Sequence, residues 1–349
     1  METETNTPIQ PTEAETVEQL IEGYGRIKTE LGKTIIGQHD VIEEILIALF
    51  AGGHCLITGA PGLAKTLLVK SIAEIFDLKF SRVQFTPDLM PADITGTEVL
   101  SETDAGRQLT FVPGPVFANI ILADEINRAS PKTQSAMLET MQERSVTLRG
   151  QTRELPDPFF VIASQNPIEM EGTYPLPEAQ LDRFLFRVLF DSVDAEVLQR
   201  IITERRQGDL PSPTWQASKD DLTYLFSVME RIFLPKPVAG YIARLVAATH
   251  PDHAEASESV KKYVQYGTSP RAAIAMGEAA RAHALIDGRP TVGFEDVAAV
   301  AKPVMNHRLI LNYQARFDRM DTGQVLADLL EELDETGLDL PADVSLQNA

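Results

Sequence analysis

An α/β fold, with a parallel sheet sandwiched between helices and a smaller all-α domain after it, is what this 349-residue sequence predicts. Three observations carry the prediction. Short, wholly apolar runs of strand length alternate with helix-spaced segments, the pattern of a sheet buried on both faces. Hydrophobic residues make up 44% of the chain and charged residues 23%, enough apolar material for two cores. Beyond about residue 235 the strand-like runs give way to Ala-rich sequence with helical spacing.

Residues 17–32 space Leu20, Ile21, Tyr24 and Ile27 along one helical side, and Lys33-Thr34-Ile35-Ile36-Gly37-Gln38 breaks that helix. Asp40 is placed to cap a second helix over 41–50. The apolar run His54-Cys55-Leu56-Ile57-Thr58 has strand length; a Gly-containing turn and a helix over 65–76 follow it. Further strands are read at 80–85, 118–123 and 159–163, with a helix over 134–144 between the last two. Residues 97–117 hold Gly106 between alternating pieces, and 145–155 alternate around Gly150, so each reads as a hairpin. Near residues 190–235 a charge-rich helix gives way to Pro211, Pro213, Pro235 and Pro237, and from Val238 onward the pattern is helical and Ala-rich, as at 271–286 and 294–308. The chain divides accordingly into an acidic tail (1–15), an α/β core with two hairpin inserts (16–192), a linker leading into the helical domain (193–234), the helical domain itself (235–318) and a second acidic tail (319–349). A short helix is expected near 325–333 of that tail.

In a parallel sheet of this kind, ligands sit beyond the carboxyl ends of the strands, and three strand ends carry chemistry. The first leads into Gly59-Ala60-Pro61-Gly62-Leu63-Ala64-Lys65-Thr66. A tight turn between strand and helix directs backbone N–H groups inward, and the start of the helix adds its positive dipole end, which suits phosphate. Lys65 can reach β- and γ-phosphates, and the Thr66 hydroxyl can ligate magnesium. Ala64 stands where glycine is usual; because alanine enters positive φ only at a cost, an α-compatible geometry is expected there. The second strand end delivers Asp124, which would bind magnesium through water, and Glu125, which would polarise an attacking water. The third carries Asn166, whose amide could orient that water or contact a γ-phosphate; as an isolated residue it would read as a turn former, and its position favours the first reading.

The formal net charge is −20 and the sequence pI about 4.7, so a phosphate backbone is a poor partner unless a local basic patch is hidden. Both ends are acidic and read as solvated: no Lys or Arg precedes Arg26, and from Asp318 onward nine acids face Arg319 alone. The single cysteine, Cys55, excludes an intramolecular disulfide and reads as a small core residue. No run is long enough for a transmembrane segment and the acidic start is unlike a secretory signal, so a cytoplasmic location is expected.

With these residues assembled, the chain resembles the MoxR group of AAA+ ATPases, in the clade that also holds the magnesium-chelatase ATPase subunit. The matching pieces are Ile35-Ile36-Gly37-Gln38, the loop from Gly59 to Thr66, Asp124-Glu125-Ile126-Asn127-Arg128-Ala129, Ser164-Gln165-Asn166-Pro167, Leu176-Pro177-Glu178-Ala179-Gln180-Leu181-Asp182-Arg183-Phe184 and Gly267-Thr268-Ser269-Pro270-Arg271-Ala272, spanning roughly residues 20–310. The resemblance implies an AAA+ P-loop NTPase core with a helical lid, binding ATP and Mg2+. It implies that Ile36 and Gly37 pack on the adenine and its sugar, that Arg183 is an arginine finger reaching a neighbouring subunit's γ-phosphate, and that Arg271 is the sensor coupling lid position to nucleotide state. Glu169, Glu171, Asp182, Arg128 and Arg144 are candidate charges of a ring interface, or simply solvated polar faces.

The function expected from the resemblance is ATP hydrolysis by a homo-oligomer, a hexameric ring, that remodels or matures protein partners, above all proteins with a von Willebrand factor A domain. A motor subunit of a magnesium-chelatase-like metal-insertion complex stays open, since its core motifs would look much the same. A DNA-translocating helicase is disfavoured by the −20 charge and by the few basic residues of the hairpins, Arg107, Arg149 and Arg153. A non-hydrolysing nucleotide scaffold is disfavoured because Lys65, Thr66, Asp124, Glu125, Asn166 and Arg183 are all present.

Overall fold

A computed structural model describes residues 13–103, 106–167, 172–190, 194–204 and 213–335. The acidic ends 1–12 and 336–349, Glu169 and Glu171, and the side chains of Leu20 and Ile21 lie outside what is described.

Helices α1 (Glu13–Thr34) and α2 (His39–Phe50) precede strand β1 (Cys55–Gly59), which leads into α3 (Lys65–Ile75) and β2 (Phe80–Gln84). After α4 (Pro91–Thr95), strands β3 (Gly96–Thr103) and β4 (Gly106–Pro113) form a hairpin. Next come β5 (Ile120–Asp124), a 3-10 turn (Ile126–Arg128), α5 (Pro131–Glu143) and a second hairpin of β6 (Ser145–Leu148) and β7 (Gln151–Glu154). β8 (Phe160–Gln165), α6 (Glu178–Leu181) and β9 (Phe186–Phe190) complete the α/β core. The remainder is helical: α7 (Ala195–Glu204), α8 (Lys219–Met229), α9 (Lys236–Ala248), α10 (Glu258–Tyr263), α11 (Pro270–Ile286), α12 (Phe294–Met305), α13 (Tyr313–Asp318) and α14 (Thr322–Glu332), with β10 (Val264–Tyr266) and β11 (Ile310–Leu311) pairing between them.

The central sheet has the order β2-β5-β8-β1-β9, and every pair in it is parallel. Its strands read as unbroken apolar runs because both faces are covered. Cys55, Ile57, Ile120, Leu122, Phe160 and Ile162 face the core shared with α1, α2, α3 and the helical domain; Leu56, Ile121, Ala123, Val161 and Ala163 face the core beneath α5. Removing any of the Ile, Leu or Val side chains among these forfeits about 1.5–3 kcal/mol of burial, which ties the sheet firmly to both layers.

Three expectations need correction. Asp40 does not cap α2: the cap position is Gln38, at φ 57° and ψ 34°, without a side-chain bond, and Asp40 lies in the first turn, where the helix dipole favours an acid. Strand β9 was not expected, because Arg187 interrupts its apolar run; it is an edge strand that hides only Phe186, Val188 and Phe190 and leaves Leu189 exposed. The short helix expected near 325–333 is present as α14, but the stretch after 319 is not a solvated tail: the helix buries Val325, Leu326 and Leu329 against the helical domain behind an Asp321–Gln324 capping box. Helix α7 is the charge-rich helix expected at the start of 193–234, and α8 extends the helical domain back into that stretch, contributing Leu222, Val228 and Met229 to the larger core.

Candidate functional site

The loop between β1 and α3 is shaped at three positions. At Gly59 a Cβ would stand 2.6 Å from the Phe190 Cβ and 2.8 Å from its carbonyl oxygen, so any side chain there would push β1 away from β9. Gly62 takes φ +85° with open space beside it, which leaves room for a ligand against the backbone. Ala64 caps α3 at φ 60° and ψ 22°. This overturns the expectation of an α-compatible geometry: the loop holds alanine in the left-handed region, at a cost of roughly 1–2 kcal/mol, because the turn into α3 requires it. Lys65 opens α3 and its Nζ donates to the Gly59 carbonyl at 2.6 Å, closing the loop on itself. Burial lowers its pKa, while Asp124 and Glu125 push it back up, so both carboxylates lie within electrostatic reach of the ammonium.

Those carboxylates are held by partners from two neighbouring strands. Asp124 Oδ2 accepts from Arg82 Nη2 at 2.6 Å and Nε at 3.1 Å, and Oδ1 accepts from Ser164 Oγ at 2.5 Å. Ser164 Oγ in turn accepts the Glu125 N–H at 2.9 Å, so one hydroxyl ties the tip of β5 to β8. Glu125 sits at φ 55° and ψ 50°, a left-handed conformation unusual for a residue with a side chain. Gln84 Nε2, at 2.8 Å, and Arg128 Nη1, at 2.9 Å, donate to the same oxygen of Glu125, Oε2. Asn166 is buried immediately beyond the end of β8. Lys65, Asp124 and Glu125 are thus brought together. Arg82, Gln84 and Ser164 are additional members of the cluster that sequence reasoning missed; β-sheet register chooses them, pairing Gln84 with Asp124.

The donor set fits a hard divalent cation. The Thr66 hydroxyl and the Asp124 carboxylate offer oxygen, and Asp124 Oδ1, which accepts from Ser164 alone among the bonds described, keeps a lone pair for a metal-bound water.

A second cleft lies beside Gly37, which takes φ +77°; a Cβ there would meet the Val197 Cγ1 at 2.9 Å, while the neighbouring Ile36 is buried. Glu44, Arg187, Val197, Lys302 and Asn306 are among the residues of its wall, so helix α12 faces the core across this space. Burial pushes the Glu44 carboxyl from its ordinary 4.5 up to about 7, with Lys302 opposing the rise. The folded state therefore disfavours the Glu44 carboxylate, a penalty that is full above pH 7 and gone below pH 4.5. Glu44→Gln is accordingly expected to be more stable than the unaltered chain at about pH 8, by on the order of 3 kcal/mol, with the difference nearly gone by about pH 4.5. Thermal unfolding of both proteins at the two pH values checks this, and equal stability at the higher pH would mean that water solvates the carboxylate.

Arg183 and Arg271 are placed elsewhere. Both line a third cleft, with His54, Met141, Gln142 and Asp182, to which no residue of the loop from Gly59 to Thr66 contributes. Arg183 is exposed and its Nη1 donates to Gln142 Oε1. Arg271, in the first turn of α11, reaches Asp182 Oδ2 at 3.4 Å. The two arginines are therefore neighbours of each other, and the Lys65 cluster stands apart from them. Of the other interface candidates, Arg128 is paired with Glu125 at 2.9 Å and Arg144 donates to the Gly52 carbonyl.

Comparison with known proteins agrees with this architecture. The family model for ATPases associated with various cellular activities (AAA) matches residues 54–186, and that for an AAA lid domain matches residues 256–329. The chain is 43% identical over 304 residues to a protein of Mycobacterium tuberculosis named chaperone MoxR1, covering 86% of this chain and 79% of that one. It is 38% identical to the YeaC protein of Bacillus subtilis, over 88% of this chain and 92% of that one. A crystal structure described as an ATPase from Cytophaga hutchinsonii aligns with a TM-score of 0.84 at 38% identity, covering 92% of this chain and 97% of the other.

Proposed function

The chain belongs to the MoxR family of AAA+ ATPases, and from that premise we propose that it hydrolyses ATP at sites shared between the subunits of a ring and uses the cycle to remodel protein partners. The observation that carries the proposal is the split geometry: Lys65, Asp124 and Glu125 gather at one set of strand ends, while Arg183 and Arg271 share a cleft apart from them. An active site with both halves then needs a second copy of the chain, whose arginines complete the first copy's cluster.

Each residue has a part in that reading. The backbone from Gly59 to Ala64 and the start of α3 cradle the phosphates, and Lys65 exchanges the Gly59 carbonyl for phosphate oxygen. Gly37, in the wall of the second cleft, and the buried Ile36 beside it pack on the base and sugar. Bound through Thr66 and Asp124, Mg2+ would neutralise phosphate charge. Glu125 takes a proton from the attacking water, oriented by Asn166, once its carboxylate is released from Gln84 and Arg128. Arg183 and Arg271 from the neighbour stabilise the charge that develops on the transferred phosphoryl group.

Turnover measured against protein concentration, with particle size followed by light scattering, tests the shared site. Specific activity is expected to rise as hexamers form; a monomer that works at full rate at every concentration would end the ring model.

The exposed surface of the first hairpin supports protein clients. Val99, Leu100, Leu109 and Val112 are all exposed there, and such apolar surface suits a polypeptide. Acids stand beside the few basic residues of the hairpins, which offsets their charge toward a nucleic acid: Glu102 is 3.3 Å from Arg107, and Glu98 is 3.5 and 3.8 Å from Arg149 and Arg153. We place the protein in the cytoplasm and its clients among proteins with a von Willebrand factor A domain. Co-purification from cells with a porphyrin-binding subunit, and with no such client, would overturn that assignment.

A further inference from the structure

Helix α12 runs into three consecutive residues, Asn306, His307 and Arg308, whose side chains bond the main chain of the segment that carries Arg183. Asn306 Nδ2 donates to the Arg187 carbonyl at 3.0 Å, and His307 Nε2 meets the Phe184 carbonyl at 3.1 Å. Arg308 goes further. Its Nε donates to Asp182 Oδ1 at 2.8 Å, its Nη2 to the Phe184 carbonyl at 2.7 Å and the Asp182 carbonyl at 3.3 Å, and its Nη1 to the Leu185 carbonyl at 3.1 Å and to that of Val304. The side chain is 3% exposed, and four of its five bonds go to residues 182–185. Only a planar guanidinium offers that many donors in fixed directions; a lysine would supply a single nitrogen.

The same helix borders the Gly37 cleft through Lys302 and Asn306. Helix α12 and the turn that follows it therefore touch a subunit's own base-and-sugar cleft at one place and the backbone around its own Arg183 at another. Asp182 is the junction: besides Arg308 it accepts from Ser269 Oγ at 3.0 Å and from Arg271 at 3.4 Å, so the lid grips the residue just before Arg183 from three directions.

We propose that Arg308 is a positioning residue for Arg183, and that through Asp182 it transmits the state of one subunit's nucleotide cleft to the arginine this subunit offers its neighbour. The proposal rests on the shared-site reading above. It predicts a defect that acts in trans: an Arg308 variant keeps a competent pocket of its own but presents a misplaced finger to the next subunit.

The experiment is a complementation assay in mixed rings. Arg308→Lys keeps the charge and removes the fork; Asp182→Asn breaks the same link from the other side. Each is checked for thermal stability and ring size, then assayed alone and in equal mixture with Glu125→Gln, whose pocket is inactive and whose finger is intact. Alone, each variant is expected to lose about tenfold or more in kcat with the KM for ATP unchanged, since a finger contributes to turnover. In the mixture about one site in four joins an intact pocket to an intact finger, so activity should rise to roughly a quarter of that of unaltered rings. A mixture of Arg183→Ala with Glu125→Gln is the control. If that control recovers and neither positioning variant does, or if the variants raise KM and leave kcat unchanged, Arg308 is a structural staple or serves its own pocket, and the proposal falls. If the control itself fails to recover, the shared-site reading falls and takes this inference with it.

Discussion

Arg183→Ala is expected to lower ATP turnover by about a thousandfold or more while leaving ATP affinity within about threefold of its original value. The expectation follows from where the side chain lies. Its cleft includes Gln142, Asp182 and Arg271 and no part of the loop from Gly59 to Thr66, so removing it takes nothing from the subunit's own phosphate cradle. The side chain is exposed, and the bond it makes is to Gln142, so its loss should change fold stability by no more than about 0.5 kcal/mol. A guanidinium from the neighbour matters only as charge builds on the phosphoryl oxygens, and an effect confined to the transition state appears in kcat. Arg183→Lys should recover little, because an ammonium lacks the flat fork that spans two oxygens. Turnover assays paired with equilibrium binding of a fluorescent ATP analogue decide the matter. Lost affinity at full stability would make Arg183 a cis ligand, and unchanged turnover would leave the third cleft without a role in hydrolysis.

Much of this arrangement was legible in the sequence because the chemistry is local there. The loop from Gly59 to Thr66 and the pair Asp124-Glu125 are contiguous, and each follows a strand whose apolar run announces it. The residues that escaped notice are those chosen by register. Arg82 and Gln84 sit some forty positions before the carboxylates they contact, on a strand whose alternate residues point to those partners only once β2 is laid beside β5. Ser164 enters the sequence reading only as the start of the piece that holds Asn166, and its hydroxyl stands between Asp124 and the Glu125 amide. Arg308 lies more than a hundred residues from the segment it holds, and nothing local to Glu44 announces that it will share a cleft with Lys302 of α12. Ala64 shows the opposite failure, in which a sound local rule was overridden. Alanine resists positive φ, yet the strand and the helix on either side fix where the loop must turn, and the backbone strain of one residue is small beside the burial that anchors β1 and α3.

Glu125→Gln is expected to reduce turnover by about 10²–10⁴ and to leave ATP bound in an assembled ring. Glutamine has the shape of glutamate, and its amide oxygen can still accept from Gln84 Nε2 and Arg128 Nη1, so the cluster that holds position 125 survives the change. What disappears is basicity: an amide cannot take a proton from water. Glu125→Ala is a poorer probe because it leaves the Gln84 amide and the Arg128 guanidinium without their shared acceptor, mixing a lost base with a disturbed strand end. Phosphate release under single-turnover conditions, with bound nucleotide identified after gel filtration, separates the outcomes. Slow release with ATP retained places Glu125 in the chemical step. Fast release from Glu125→Gln would mean that another group activates the water, and that the Gln84–Glu125–Arg128 contact is a structural tie between β2 and the turn after β5.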